Sequence, residues 1–208
     1  MFEKKNSKKD VEFEKIKAYA EESTKAQKPV NKKKEIISNI IYVVIVLAIT
    51  IFIICFVGQR TKVDGDSMYP TLHDGDNLIV DKISYRFHDP DRFDVIIFPY
   101  PQNEKVFYIK RVIGLPGETI QIDYDGNIYI DGEILEEEYG YEVMVNPGIA
   151  ADPITLGEDE YFVLGDNRNE SNDSRAVDVG VIDEDDIIGR AWVRFYPFKD
   201  VGLVKNIE

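Results

Sequence analysis

The stretch Asp64-Gly65-Asp66-Ser67-Met68-Tyr69-Pro70-Thr71-Leu72 puts a serine hydroxyl in a tight turn, with Gly65 two residues before it and Pro70 three after. A chain punctuated in this way holds a side-chain oxygen on a fixed backbone, as a nucleophile requires. Read alone, Ser67 is an ordinary surface turn, so the question is what could take its proton. Neither histidine has the setting of a buried, oriented imidazole: His73 lies six residues away and His88 sits in the polar turn Phe87-His88-Asp89-Pro90. Lys110 is the stronger base. In Val106-Phe107-Tyr108-Ile109-Lys110-Arg111-Val112-Ile113, strand alternation groups Lys110 with Val106, Tyr108 and Val112, and Arg111 with Phe107, Ile109 and Ile113. Both faces are apolar, so one of the two cations is expected in low-dielectric surroundings. Arg keeps its charge there, whereas Lys can lose its proton and become a free amine near neutrality. A third polar cluster, Gly165 to Arg175, follows an apolar strand and reads as a braced loop. It pairs Asp173 with Arg175 and offers a hydroxyl to a neighbouring group.

The elements that must position these groups are mostly short strands. Residues 77–85, 94–98, 105–113, 119–124, 127–130, 161–164 and 187–196 are rich in Ile, Val, Tyr and Phe and are separated by turn residues. Asp125-Gly126 and Asp131-Gly132 are hairpin signals. Asp123-x-Asp125-x-Asn127 begins like a calcium loop, but Gly126 is misplaced for it and Ile134 stands where a chelating Glu should be. Residues 136–158 are acidic and carry Pro147, Gly148 and Pro153, which predicts a long loop or a partly independent flap. The expected fold class is mainly β, with antiparallel sheets around one core after a single helical anchor.

That anchor is Ile36–Val57, 22 residues without a charge. As a helix it would extend about 33 Å, roughly the thickness of a hydrocarbon core. The sequence divides into a basic segment 1–35, a transmembrane helix 36–58 and an extracytoplasmic domain 59–208. Residues 1–34 hold eleven Lys and six acids, a charge of +5 against −14 for the whole chain, so the remainder carries −19. Lys32-Lys33-Lys34 abut the span and place the N-terminus in the cytoplasm, with the β domain outside a plasma membrane crossed once. A signal peptide cut after the span is disfavoured by its length and by Gly58-Gln59-Arg60 at its end. Phe13, Ile16 and Ala20 allow a short amphipathic helix in the head, where a disordered segment is the alternative. The acidic outer domain argues against nucleic acid as a partner. The single cysteine, Cys55, lies in the span and leaves the outer domain without a disulfide.

A membrane anchor followed by GDSMYPTL, KRVIGLPGE at 110–118 and GDNRNESNDSR at 165–175 resembles the type I bacterial signal peptidases, over roughly residues 36–198. The absence of a large insertion and of a cysteine pair matches the compact Gram-positive type. The resemblance implies a serine endopeptidase that removes signal peptides from exported preproteins through a Ser/Lys dyad and an acyl-enzyme, on a β-rich fold without cofactor or metal. It makes Ser67 the nucleophile and Lys110 the general base. Ser171 becomes the hydroxyl that orients the lysine amine, Asp173 and Arg175 a structural ion pair, and Met68 and Pro70 residues that shape the site. Gly65 stands where some members place an oxyanion-hole serine, leaving that task to the Ser67 N–H. Asp66 is expected to point away from Lys110, because a facing carboxylate would keep the amine protonated. The implied partners are preproteins with small residues at the minus-one and minus-three positions, membrane lipid and the export channel. The peptide is expected against strand edges near Lys62–Asp64 and Phe107–Ile109. The self-cleaving repressors of the DNA-damage response resemble the Ser/Lys pair but not the span, and the eukaryotic relatives carry His in place of the lysine. From another class, the alternative is an inactive membrane-anchored domain that only binds peptides.

Overall fold

The computed structural model describes residues 3–25, 32–52 and 58–204. The chain forms two compact units, Met1–Thr50 and Ile51–Glu208. The first contains α1 (Glu3–Lys25) and all but the last two residues of α2 (Lys32–Phe52). The head is thus helical in Glu3–Lys25, with Phe13, Ile16 and Tyr19 exposed. Helix α2 begins with Lys32-Lys33-Lys34-Glu35, and its apolar part is described from Ile36 to Phe52. At about 1.5 Å per residue the described part extends roughly 26 Å. Among the described residues no helix is long and apolar enough to cross a membrane. The rest of the expected span, residues 53–57 with Cys55, lies outside the described residues.

The second unit is built from antiparallel sheets. In chain order the strands are β1 (Gly58–Lys62), β2 (Asn77–Asp81), β3 (Val95–Tyr100), β4 (Asn103–Gly114), β5 (Thr119–Ile122), β6 (Ile128–Ile130), β7 (Glu133–Ile134), β8 (Ile154–Thr155), β9 (Glu160–Leu164), β10 (Ile182–Asp183), β11 (Gly189–Tyr196) and β12 (Gly202–Leu203). The larger sheet runs β1-β2-β11-β3-β4-β9-β10, with β12 on β11; the smaller runs β7-β6-β5-β8. Alternation sorts the core. Val95 and Ile97 of β3 pack with Val63, Met68, Leu72, Leu78 and Val80, while Ile96 and Phe98 pack on the other face with Val112, Tyr161 and Val163. The smaller sheet closes a third cluster around Ile113, Ile120, Ile122 and Phe162.

Several expected strands have different limits. The stretch expected as a strand over 77–85 stops at Asp81, whose carboxylate accepts from the N–H groups of Ile83 and Ser84 and from the Ser84 hydroxyl. That local capping turns the chain into the 3-10 turn Ser84–Arg86. Asp131-Gly132 forms a two-residue hairpin with both residues at positive φ, 51° and 84°. The Asp125-Gly126 hairpin is real but its loop is wider, Asp123–Asn127, closed by the Asp123 N–H on the Asn127 carbonyl. The Asp123 side chain accepts hydrogen bonds from Asn127, Asp125 and Tyr129 and so organises this loop.

Candidate active site

Ser67 sits at the head of a turn in which the Tyr69 N–H donates to Asp66 O and the Leu72 N–H to Met68 O. Met68 and Leu72, both 1 % exposed, anchor the turn in the core, so the apolar flanks hold the serine in place. Pro70, in the same turn, is exposed. The Ser67 N–H donates to no acceptor among the described residues. Gly65 is exposed and its N–H donates to Asp74 Oδ1 at 3.1 Å.

Strand β4 delivers the base. Lys110 Nζ lies 2.9 Å from Ser67 Oγ and 3.0 Å from Ile109 O, and its residue is only 3 % exposed. It is also 4.9 Å from the centre of the Tyr108 ring, on the strand face that alternation assigns it. Burial pushes the Lys110 pKa down to about 8, against the opposing pull of Asp173 and Asp166. Asp66 is exposed and is not among the charges acting on it. The histidines are elsewhere: His73 stands edge-on to Tyr69, and the exposed His88 ring approaches Asp89 O.

Both cations of the Lys110-Arg111 pair are buried, where only one was expected to be. Arg111 is completely enclosed. Its Nε and Nη2 donate to the two oxygens of Asp166 at 2.8 and 2.7 Å, its Nη1 donates to Phe93 O, and its guanidinium lies 3.8 Å from the centre of the Tyr139 ring. Asp166 also accepts from the Thr71 hydroxyl at 2.5 Å. One buried carboxylate thus ties the serine turn, β4 and the third polar loop together. Sequence reasoning missed this centre. The available signal was Arg111 on an apolar strand face, which demands a buried partner.

The third loop is braced by Asp173, whose oxygens accept from Arg175 Nε and Nη2, both at 2.8 Å, and from the Gly165 N–H at 3.0 Å. Asn167 fastens this loop to the serine turn through its N–H to Ser67 O and its side chain to Asp66 O. Gly165 marks the point of closest approach. A Cβ there would come within 2.2 Å of Ser171 Oγ and 2.5 Å of Ser67 O, so only glycine fits. Ser171 Oγ is buried and has no hydrogen-bond partner among the described residues; the expected Ser171–Lys110 bond is not present. The segment 136–158 is no independent flap. Tyr141 N–H donates to Asp166 O, Val145 N–H to Asn169 Oδ1, Ile149 N–H to Arg175 O, and Arg168 pairs with Glu137.

A buried lysine amine bonded to a serine hydroxyl, close to a free main-chain N–H, has the parts needed for acyl transfer. Over residues 35–196 the chain matches the family of signal peptidases, peptidase S26. The chain belongs to this family, whose members are serine endopeptidases. Among its relatives, the signal peptidase I of Bacillus amyloliquefaciens is 35% identical over 88% of this chain and 100% of its own length. The probable signal peptidase I-1 of Synechocystis is 38% identical over 76% of this chain and 82% of its own. A crystal structure of a signal peptidase I from Enterococcus faecalis is 35% identical and covers 50% of this chain and 97% of its own, with a TM-score of 0.41.

Proposed function

We propose that this chain is a membrane-bound signal peptidase that removes N-terminal signal peptides from exported preproteins with a Ser67/Lys110 dyad. The observation that carries the reading is the 2.9 Å contact between Lys110 Nζ and Ser67 Oγ, made by a lysine whose burial favours the neutral amine. Neutral Lys110 takes the Ser67 proton as Oγ attacks the carbonyl of the minus-one residue. The oxyanion that forms is met by the Ser67 N–H. Collapse expels the amine of the mature chain, which receives the proton from Lys110. Water, deprotonated by the same amine, then hydrolyses the ester and restores Ser67. Asp173 and Arg175 hold the loop in place, and Met68 and Pro70 shape the turn.

The peptide is read as an added strand. Strand β1 ends the larger sheet, and residues of β4 before Arg111 pair only with β3 among the described residues. A groove of about 480 Å³ lies along these edges, lined by Lys62, Val63, Asp64, Ser67, Phe107 and Ile109 among others. Unpaired main-chain groups there suit an extended substrate, with room for small minus-one and minus-three side chains. In this reading residues 1–35 are cytoplasmic, 36–58 anchor the chain in the plasma membrane, and 59–208 work on the outer side near lipid and the export channel.

The test is incubation of the full chain, in lipid or detergent, with a secreted precursor carrying an Ala-x-Ala site, the products mapped by mass. Cleavage after the second Ala, lost in Ser67→Ala and Lys110→Met variants that still fold, is the expected result. Cleavage that survives Lys110→Met would return attention to the histidines. A folded wild type that cleaves none of several precursors would instead favour a peptide-binding domain without activity.

A further inference from the structure

The groove beside Ser67 ends at a residue with no part in the dyad. Asn172 is exposed and lines the groove together with Tyr108 and Lys110. Its Nδ2 donates to Asp178 Oδ2 at 3.0 Å, and the same oxygen accepts from the Tyr100 hydroxyl at 2.6 Å. Tyr100 in turn stacks on Tyr108, with ring centres 4.8 Å apart and planes 19° from parallel. Asp178 is held below the ordinary carboxylate range, chiefly by the Tyr100 bond and then by the Asn172 bond, so it is an acceptor at neutral pH. An ionised carboxylate can only accept, which fixes the orientation of the amide by chemistry: the NH2 end faces Asp178 and Oδ1 is the end left over. Oδ1 bonds no other described residue. The groove wall therefore carries a side-chain acceptor that is fixed in orientation and unused among the described residues.

We propose that Asn172 is a substrate-positioning residue whose Oδ1 accepts a hydrogen bond from a main-chain N–H of the bound peptide, and that Asp178 and Tyr100 hold it in place. A main-chain donor is the ligand chemistry that fits, since every peptide offers one whatever its sequence. Asp178 fixes the amide rotamer, and Tyr100 fixes Asp178 while bracing Tyr108 beneath the same groove. The inference rests on the peptidase reading and adds a contact outside the dyad to it.

The experiment uses the full chain and a set of precursor-derived peptides in which single amide N–H groups near the scissile bond are replaced by ester oxygens. One net hydrogen bond of about 0.5–1.5 kcal/mol corresponds to roughly 2- to 12-fold in KM. At one position the ester should raise the wild-type KM by such a factor with kcat little changed, and the same ester should cost Asn172→Ala nothing. With the all-amide peptide, Asn172→Ala and Asp178→Ala should raise KM by similar factors, the double variant no more than either alone. Tyr100→Phe, which keeps the ring stack, should raise KM less. Wild-type cleavage with no ester position coupled to Asn172 would overturn this inference and leave the peptidase reading intact. A loss in kcat and melting temperature alone, with KM unmoved, would mark the cluster as structural and overturn it too. No cleavage by wild type would remove both.

Discussion

Replacing Lys110 by Met should abolish cleavage and, at neutral pH, stabilise the fold. The folded-state pKa of Lys110 is about 8, against an ordinary 10.5, with burial as the main cause. The sign follows from proton counts. Between pH 8 and 10.5 the unfolded chain holds more protons than the folded one, so stability rises with pH across that window. Below about pH 8 the penalty is fully present, and at about 1.4 kcal/mol per pH unit of separation it is on the order of 3 kcal/mol. Methionine fills the same apolar space without that penalty but forfeits the bonds to Ser67 Oγ and Ile109 O, worth about 0.5–1.5 kcal/mol each. The net gain at pH 7 is therefore up to about 2 kcal/mol, a rise in melting temperature of up to roughly 8 °C for a unit of this size. The pH trend is the sharper quantity: the advantage of Met over Lys should shrink by roughly 2–3 kcal/mol between pH 7 and 10. Denaturant unfolding of both proteins in the same detergent, over that range, measures it. A difference that does not vary with pH would refute the reasoning, because the lysine would then carry no burial penalty.

Other consequences are open to measurement. The kcat/KM for precursor cleavage should climb with pH through an apparent pKa near 8, as Lys110 becomes neutral; a profile already flat from pH 6 would count against the amine as base. Asp166→Ala leaves Arg111 enclosed without its carboxylate and should cost about 3–5 kcal/mol, seen as a lower denaturation midpoint; a loss below 1 kcal/mol would deny that pair its central place. At Gly148, with φ at 55°, a Cβ would stand 2.2 Å from Arg175 O. Gly148→Ala should destabilise by about 1–3 kcal/mol and speed proteolysis of the 136–158 segment, whereas wild-type protection would show that this staple is dispensable.

The chemistry was more legible in the sequence than the frame that holds it. Ser67, Lys110, Asp173 and Arg175 could be picked out because the ordered stretches GDSMYPTL, KRVIGLPGE and GDNRNESNDSR resemble the signal peptidases; read alone, each stretch is also compatible with an ordinary surface role. Strands such as β3, β4 and β9 were visible through their apolar runs. Strands of two residues, β8, β10 and β12, are too short for any periodicity to register. The end of β2 was missed because Asp81 competes for the backbone N–H groups that follow it, an interaction that apolar patterning does not encode. The Arg111–Asp166 pair spans 55 positions in sequence, and the staples from 136–158 to Asn169 and Arg175 are likewise long-range. Burial of Arg111 announced that a partner must exist, but only the fold identifies it. Tyr100, Asn172 and Asp178 carried no local signal at all, since each is an ordinary polar residue until the chain brings them together.

The most direct test of the account is titration of the Lys110 amine itself, by NMR of the lysine side chains in isotopically labelled full chain in detergent. The Lys110 resonance is the one missing from Lys110→Met. A midpoint near 8 is what its burial beside Ser67 predicts. A midpoint at 10 or above, in protein that is folded and cleaves precursor, would contradict the claim that a neutral lysine activates the serine.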